Sequence, residues 1–280
     1  MSQFNQNGSD YDSEGLPPSV RRYVYQGKEH FSRTLQFERE CFQRHSYLTA
    51  EFFVFSIDTF TFRRDFSDTE TPIRGIRTTF NPRTNILIVK MVTHEHHTVV
   101  RAFDLAIDDV LRPMGMDEKV LTYAGVDIDV DGISKQPDWG WGPRRPPLGQ
   151  PRRRPTVVIE VAMSETRAKL HRDVELWVDP ERGNMNIAFT VKVNRNCAII
   201  TIGKWEWDYA NNQARMSQEI EIHKNEAGDH VTVSGAPLII PFNLLFLRYA
   251  IPPKETDLTI KGEKFEYIAD LVWELQFADF

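Results

Sequence analysis

Several features that would assign this sequence to a broad class are absent from it. Only two of the 280 residues are cysteines, Cys41 and Cys197, which excludes a disulfide framework and a cysteine-based zinc site. No apolar run approaches the roughly 20 residues that cross a bilayer. The N-terminus has neither the cationic start nor the apolar stretch of a secretory signal. We therefore expect no membrane partner and an intracellular location, in the nucleus or the cytoplasm.

An excess of positive charge is also absent, because the formal net charge is −6. Any binding of nucleic acid must therefore use a local basic patch. The sequence has no Ser-His-Asp elbow, no P-loop and no dinucleotide-binding glycine pattern. These absences weaken the interpretations as a serine hydrolase, an NTPase or a dehydrogenase. Hydrophobic residues make up 41% of the chain, enough for a large core, so the chain is not wholly disordered.

Composition and hydrophobic pattern divide the chain into four parts. Residues 1–19 are polar and end in Pro-Pro, which predicts a disordered tail. Residues 20–83 predict a β-rich N-terminal elaboration, residues 84–210 an α/β core, and residues 211–280 a C-terminal extension packed on that core.

Hydrophobic periodicity predicts the individual elements. Strands are expected over the second half of 51–66, at 86–92, at 156–163, at 186–193 and at 198–203, with a strand and an Asp-Gly turn within 120–138. One helix should carry Val99, Phe103 and Ile107 and end near Leu111, before Pro113. A second helix should start at Ser164 as its N-cap, and the last should cover 261–277. Residues 139–155 lack periodicity and predict a loop.

Glu160 stands out because its neighbours in the strand Val157–Ala162 are apolar. An unpaired carboxylate there is costly, so a proton, a basic side chain or a metal ion must compensate it. Asp138 lies 22 positions earlier, after Pro137, at a predicted strand end. Two such carboxylates on adjacent strands can aim at one point, and they suit Mg²⁺ or Mn²⁺. Glu95, at the start of the helix and on its apolar face, could add a third carboxylate.

The alternative at this point is that Glu160 pairs with a buried arginine or lysine, while Asp138 only caps a turn. Residue patterns alone leave both possibilities open, because pairs of acidic residues are common.

Several motifs occur together in a fixed order. They are LIVKM (Leu87–Met91), His94-Glu95, DGISKQPD (Asp131–Asp138), PTVVIEVAMSE (Pro155–Glu165), Leu170, Asp173, Trp177, Lys204-Trp205 and IPFNLLFLR (Ile240–Arg248). With these motifs the chain resembles the PD-(D/E)xK, or restriction-endonuclease-like, superfamily of nucleases, and particularly a group of uncharacterised, mainly fungal members. The resemblance covers about residues 86–248.

The resemblance implies a fold and a chemistry. The fold is a central mixed sheet flanked by helices, and the chemistry is metal-dependent hydrolysis of phosphodiester bonds in DNA or RNA. Asp138 and Glu160 match the two metal-binding acids of the superfamily, and Glu95 matches the acid that many members carry on the first core helix.

One position departs from the superfamily pattern. The lysine that holds the attacking water should lie two residues after the second acid, where this chain has Ala162. An alanine cannot stabilise developing negative charge. Lys169, on the next helix, is the candidate replacement, although its position away from the Leu170–Val174–Trp177 face favours solvent. The enzyme could therefore be inactive while its fold persists.

A basic run lies between the two acids. It contains Arg144, Arg145, Arg152, Arg153 and Arg154 and follows Trp139 and Trp141. In a nuclease this loop would flank the cleft, contact phosphates and offer rings for base stacking. The alternative is a solvated surface loop stiffened by proline.

The histidines His94, His96 and His97 do not form a metalloprotease motif, because position 98 is threonine. We expect them to be exposed or to cap the helix, with Glu95 as the functional residue of this turn.

Two functional hypotheses follow. The first is a Mg²⁺- or Mn²⁺-dependent nuclease with Asp138, Glu160 and Glu95 at the metal and Lys169 as the displaced lysine. The second is an inactive nuclease-fold module that binds nucleic acid or a protein. A homodimer is compatible with either.

Overall fold

The computed structural model describes residues 16, 20–44, 50–67, 73–163, 166–225 and 230–277. The predicted disordered tail and the predicted N-cap Ser164 lie outside these residues, apart from Leu16. The helices are α1 (Lys28–Arg44), α2 (Thr59–Phe62), α3 (His94–Leu111), α4 (Arg167–Val178), α5 (Phe242–Phe246) and α6 (Gly262–Gln276). None of the helices in these ranges is long and apolar enough to cross a membrane.

Fifteen strands complete the described fold. They are β1 (Arg22–Val24), β2 (Phe52–Ser56), β3 (Ile76–Asn81), β4 (Ile86–Met91), β5 (Val120–Thr122), β6 (Ile128–Val130), β7 (Ile133–Lys135), β8 (Trp139–Pro143), β9 (Val157–Ala162), β10 (Ile187–Val193), β11 (Ile199–Asp208), β12 (Gln213–Lys224), β13 (Val231–Ser234), β14 (Leu238–Ile240) and β15 (Leu258–Ile260).

The strands form two large sheets and one small one. The first sheet has the order β1-β2-β4-β3-β7-β6, the second β13-β12-β11-β10-β9-β8-β5, and β14 pairs with β15. Both large sheets are mixed, because β1 runs parallel to β2 and β9 parallel to β10, whereas the other pairs are antiparallel. The unit β9-α4-β10 joins two parallel strands through a helix. The predicted class, a mixed α/β fold with sheets flanked by helices, is confirmed.

The central strands of the second sheet, β9 and β10, are buried on both faces. Helices α3 and α6 cover one face, where Phe103 packs among Ile159, Val161 and Phe189. Helix α4 covers the other face, with Val174 and Trp177 in its core cluster. A strand covered on both sides can be apolar throughout, which explains the continuous apolar run of β9.

The segment that follows β2 is helical, and the strand predicted there is wrong. Asp58 accepts a hydrogen bond from the Thr61 backbone N–H at 2.9 Å and so caps α2. The rings of Phe62 and Phe66, four residues apart, then stack at 5.6 Å. Alternation over six residues could not distinguish this capped turn from a strand.

Residues 139–143 form strand β8, where the sequence predicts a loop. Gly140 and Gly142 allow the backbones of this hairpin to approach each other closely. A Cβ atom at Gly142 would lie 2.7 Å from the Arg154 carbonyl oxygen. The glycines that suggest a loop are therefore the residues that make strand pairing possible here.

The predicted domain boundaries fall inside hairpins. The boundary after residue 83 lies in the turn between β3 and β4, and the boundary after residue 210 lies in the turn between β11 and β12. Each of these two pairs of strands belongs to one sheet, and the division into domains stays a prediction.

Replacing Phe103 by alanine tests the core between α3 and the second sheet. The ring is fully buried, so Phe103→Ala should lower the free energy of unfolding by about 3–5 kcal/mol. Phe60→Ala is the matched control, because Phe60 is 74% exposed, and its effect should stay within about 0.5 kcal/mol. Equal losses in urea denaturation would contradict the assigned core.

Candidate functional site

The two acids singled out in the sequence meet inside the protein, within a group of six charged side chains. Each of the six is at most 6% exposed. We call this group the buried charge cluster, and it consists of Lys90, Lys135, Asp138, Glu160, Lys169 and Asp173. Three carboxylates and three ammonium groups balance each other formally, as burial requires.

Asp138 is held by four groups. Its Oδ2 atom accepts hydrogen bonds from Lys90 Nζ and from the backbone N–H of Val161, each at 2.7 Å. Its Oδ1 atom lies 3.1 Å from His96 Nε2. The Arg77 guanidinium donates to the Asp138 carbonyl oxygen at 3.1 Å.

Glu160 shares a cation with Asp138. Its Oε2 atom lies 3.7 Å from the same Lys90 ammonium group. Its Oε1 atom accepts a hydrogen bond from the Trp177 indole N–H at 2.6 Å and lies 3.4 Å from Lys135 Nζ. The two carboxylates therefore converge on one positive charge, and that charge belongs to Lys90.

Asp173 completes the cluster from helix α4. Lys169 donates to Asp173 Oδ2 at 2.5 Å, and Lys135 lies 3.1 Å from the same oxygen. Lys169 and Asp173 are four residues apart on α4 and therefore lie on one side of the helix. Lys135 bridges Asp173 and Glu160.

The alternation of side chains along the strands explains how these groups meet. Lys90 shares a face of β4 with Ile86 and Ile88, and that face packs against Phe52. Glu160 shares a face of β9 with Val158, directed at the Trp177 side of α4. The cluster thus lies where the first sheet, the second sheet and α4 come together.

Burial and charge act in opposite directions on these carboxyl groups. Burial raises the pKa of Asp138, but the charges of His96 and Lys90 outweigh it and hold that pKa well below its usual range. The same competition, with Lys135 and Lys169 as the cations, lowers the pKa of Asp173 to about 2. For Glu160 burial prevails over Lys135, and its pKa is raised.

On the first turn of α3, His96 rather than Glu95 reaches Asp138. His96 is 1% exposed, so the expectation of an exposed histidine is wrong at this position. Glu95 is half-buried and lines a separate cavity with Arg39, Phe42 and His97. Thr93 caps the helix by accepting from the His96 N–H, and successive residues of this turn then point in different directions.

The residues present do not fit a divalent metal ion. An ion between Asp138 and Glu160 would have to displace the Lys90 ammonium group, which lies 2.7 and 3.7 Å from their oxygens. Within the described ranges, no three side chains among His, Cys, Asp and Glu are grouped as metal ligands. The Mg²⁺ or Mn²⁺ site predicted at Asp138, Glu160 and Glu95 does not match this donor set.

The sequence interpretation missed two lysines and misplaced a third. Lys169 is 3% exposed, so the solvent-facing orientation is wrong; its contact with Asp173 keeps it inside. Lys90 and Lys135 belong to the motifs that carry the family resemblance, yet no role was predicted for them. Lys90 gave the same signal as Glu160, a charged residue in an apolar strand, and the two signals together indicate an ion pair.

The basic loop does not flank the acid pair. Strands β8 and β9 are antiparallel, with Trp139 opposite Ile159 and Trp141 opposite Val157, so Asp138 and Glu160 lie at the same end of the hairpin. The loop connects the other end. Arg144 follows Asp138 by six residues, which corresponds to about 20 Å along an extended strand.

Side chains of this loop divide into exposed and structural ones. Arg144, Arg145, Arg152 and Arg153 are exposed. Arg154 is half-buried and donates to the carbonyl oxygens of Arg182 and Gly183. Trp141 is 1% exposed and donates to Asp104 at 2.9 Å, so it cannot stack on a base; Trp139 is half-buried against the core.

Comparison with solved structures finds distant structural likenesses, one of which is described here. No protein-family model and no curated protein matches the chain. Among solved structures, the chain is similar to a candidate nuclease of the DUF820 group from Anabaena variabilis, with 11% identity and a TM-score of 0.38 over 68% of this chain and 90% of the other. We therefore argue function from the site itself.

Removing the shared cation should destabilise the protein strongly. Lys90→Met leaves Asp138 and Glu160 buried without their common partner, which should cost about 3–5 kcal/mol of unfolding free energy. The control Lys119→Met, at an exposed position, should change it by less than about 0.5 kcal/mol. A Lys90→Met protein as stable as the wild type would show that Lys90 does not compensate the acids.

Acid should weaken the cluster through Asp173. Because folding lowers the pKa of this carboxyl to about 2 from 3.8, its contribution is complete above about pH 4 and is lost as the pH falls toward 2. Glu160, with a raised pKa, acts in the opposite direction. Asp173→Asn should therefore flatten the loss of stability between pH 5 and pH 2.5, measured by urea denaturation. Asp270→Asn, at an exposed carboxyl, should keep the wild-type slope.

Proposed function

We propose that this chain is a catalytically inactive nuclease-fold module that binds nucleic acid without a metal ion. The observation that carries this proposal is the Lys90 ammonium group, which lies between the Asp138 and Glu160 carboxylates. A nuclease of the resembled type needs its metal at that point, to polarise the phosphodiester and lower the pKa of a bound water.

Access to the acids supports the same conclusion. Asp138 is 0% and Glu160 2% exposed, so neither oxygen pair is in reach of a phosphodiester. The Phe52 ring lies over Lys90 and Lys169, at 5.7 and 5.5 Å from their ammonium nitrogens. A reacting group must come within about 3–3.5 Å of its catalyst, which this covering prevents.

The acids have a structural task instead. Asp138 joins β8 to Lys90 of β4 and to the Val161 backbone of β9, and Glu160 joins β9 to Lys135 of β7 and to Trp177 of α4. Hydrogen bonds to charged groups are the stronger ones, at about 1.5–3 kcal/mol each. In this fold the acid pair links the first sheet, the second sheet and α4.

Exposed cations on the basic loop favour nucleic acid as the partner. Arg144, Arg145, Arg152 and Arg153 project from one loop of a chain whose net charge is −6. A local positive region on an acidic protein directs polyanions to that region. The loop is remote from the acid pair, so binding there would not bring a phosphate to Asp138 or Glu160.

The competing proposal is the metal-dependent nuclease. The convergence of Asp138 and Glu160 on a single cation favours it, because exchange of the Lys90 ammonium for Mg²⁺ would leave two oxygen ligands in place. Only cleavage and metal binding distinguish the two.

Cleavage and binding assays together test the proposed function. Wild-type protein should bind single-stranded DNA or RNA with an affinity that falls as salt rises, in the presence of EDTA. With 10 mM Mg²⁺ or Mn²⁺ it should cleave plasmid and single strands no faster than the isosteric variant Asp138→Asn plus Glu160→Gln. Metal-dependent cleavage by the wild type that this variant lacks would establish the nuclease instead.

A further inference from the structure

A cavity of about 430 Å³ lies at the far end of the β8–β9 hairpin from the buried charge cluster. It is bounded by the segment after α3, by the start of the basic loop and by the C-terminal extension. Its charged lining includes Lys119, Arg144, Arg145, Arg248, Lys254 and Glu255. We call it the basic cavity.

Positive charge dominates the basic cavity. Five cationic and two acidic side chains line it. Arg248 and Glu255 neutralise each other in a two-pronged contact at 2.6 and 2.8 Å. Of the remaining charged groups, Glu118 is the single acid. The other four are the cations Lys119, Arg144, Arg145 and Lys254, and none of these has an ion pair with a described residue.

The scaffold that presents these cations is fixed. Glu255 also accepts from the Ile251 backbone N–H at 2.8 Å, which holds the segment that carries Lys254. The Arg144 backbone N–H donates to the Lys119 carbonyl oxygen at 2.7 Å, so these two cationic residues lie side by side, directly after β8 and directly before β5. A preorganised set of cations loses little freedom on binding an anion.

The basic cavity and the buried charge cluster are separated by the length of α3. His96 contacts Asp138 at the start of this helix, and Met114, two residues after Arg112, lines the cavity beyond its end. Sixteen residues from His96 to Arg112 span about 24 Å of helix. The cavity is therefore a site of its own and does not extend from the acid pair.

An exposed aromatic residue directly follows one of the cavity residues along the chain. Tyr249 follows the cavity residue Arg248, whose guanidinium donates to the Tyr249 carbonyl oxygen at 2.9 Å. The Tyr249 side chain is 85% exposed. An exposed ring beside unpaired cations is the arrangement with which proteins hold single strands, because the cations take phosphates and the ring stacks on a base.

We infer that the basic cavity binds a phosphate group of single-stranded nucleic acid, and that Tyr249 stacks on an adjoining base. Lys119, Arg144, Arg145 and Lys254 supply the phosphate contacts. The volume, about 430 Å³, is within the range of small-ligand sites and accommodates one nucleotide. The inference rests on the proposed function, since it assigns the place at which that nucleic acid is held.

Fluorescence anisotropy with a labelled 12-nucleotide single strand, in EDTA, tests the assignment. The variant Lys119→Gln plus Lys254→Gln leaves the basic loop intact, and its affinity should fall about tenfold or more. The slope of log affinity against log salt should become shallower by about 1.4, because two phosphate contacts to the single strand are lost and each contributes about 0.7. The matched control is Arg33→Gln plus Arg63→Gln, two exposed arginines outside the lining of the basic cavity, and it should bind as the wild type does.

Variants of Tyr249 test whether its ring stacks on a base. Tyr249→Ala should lower the affinity for the single strand by a factor of about 5 to 150, and Tyr249→Phe should restore it. Binding of the corresponding duplex, whose bases are already stacked, should not change between Tyr249→Ala and wild type. Inorganic phosphate should compete with the single strand in wild type and not in the Lys119→Gln plus Lys254→Gln variant.

The outcomes separate the site from the function. Binding that survives Lys119→Gln plus Lys254→Gln but fails in Arg152→Gln plus Arg153→Gln overturns the basic cavity and leaves the proposed function standing. If the wild type binds neither single strand nor duplex, the proposed function fails and the cavity assignment fails with it. Unchanged melting temperatures of the variants exclude unfolding as the cause of any loss.

Discussion

Three carboxylates buried at one point require compensation, and the rest of this structure is arranged to supply it. Asp138 directly precedes β8, Glu160 lies in β9 and Asp173 in α4, while Lys90 and Lys135 reach them from the first sheet. Each lysine contacts two acids or an acid and a carbonyl oxygen, so no element can shift without uncovering a charge. The two sheets are joined here by charge as well as by packing. Such a network specifies one arrangement of the elements more sharply than apolar contacts would.

The same compensation gives the two acids a structural role that needs no catalytic lysine. Ala162 occupies the position at which the superfamily carries its lysine, and it lies fully buried in β9. The ammonium groups near the acids come instead from β4, β7 and α4. They are placed to neutralise carboxylates permanently, whereas a catalytic lysine must leave room for a water and a phosphate. The same carboxylate oxygens cannot both be neutralised by lysines and be left open for a water and a phosphate. The short distances between these oxygens and the lysine ammonium groups favour the structural role.

The sequence predicted the strands and helices better than it predicted which side chains contact each other. Apolar runs and helical spacing located β4, α3, β9, α4 and α6, because β4 and β9 are buried throughout and the helices present an apolar side to the core. The sequence showed that the Glu160 carboxylate needs a compensating group, but it did not show which residues supply the positive charge. Lys135 and Lys90 come from 25 and 70 positions earlier, and only the pairing of β3 with β7 and of β4 with β3 brings them in. Likewise His96 replaced Glu95 because a capping threonine sets the rotation of α3.

The two ends of the β8–β9 hairpin differ in burial and in charge. One end carries Asp138 and Glu160, and the other carries the arginine-rich loop and borders the basic cavity. Charge changes at the exposed arginines of that loop would leave the buried charge cluster untouched. The surface charge of the hairpin can therefore change without disturbing the buried charges, whereas removal of one acid at its internal end leaves a buried lysine without its partner.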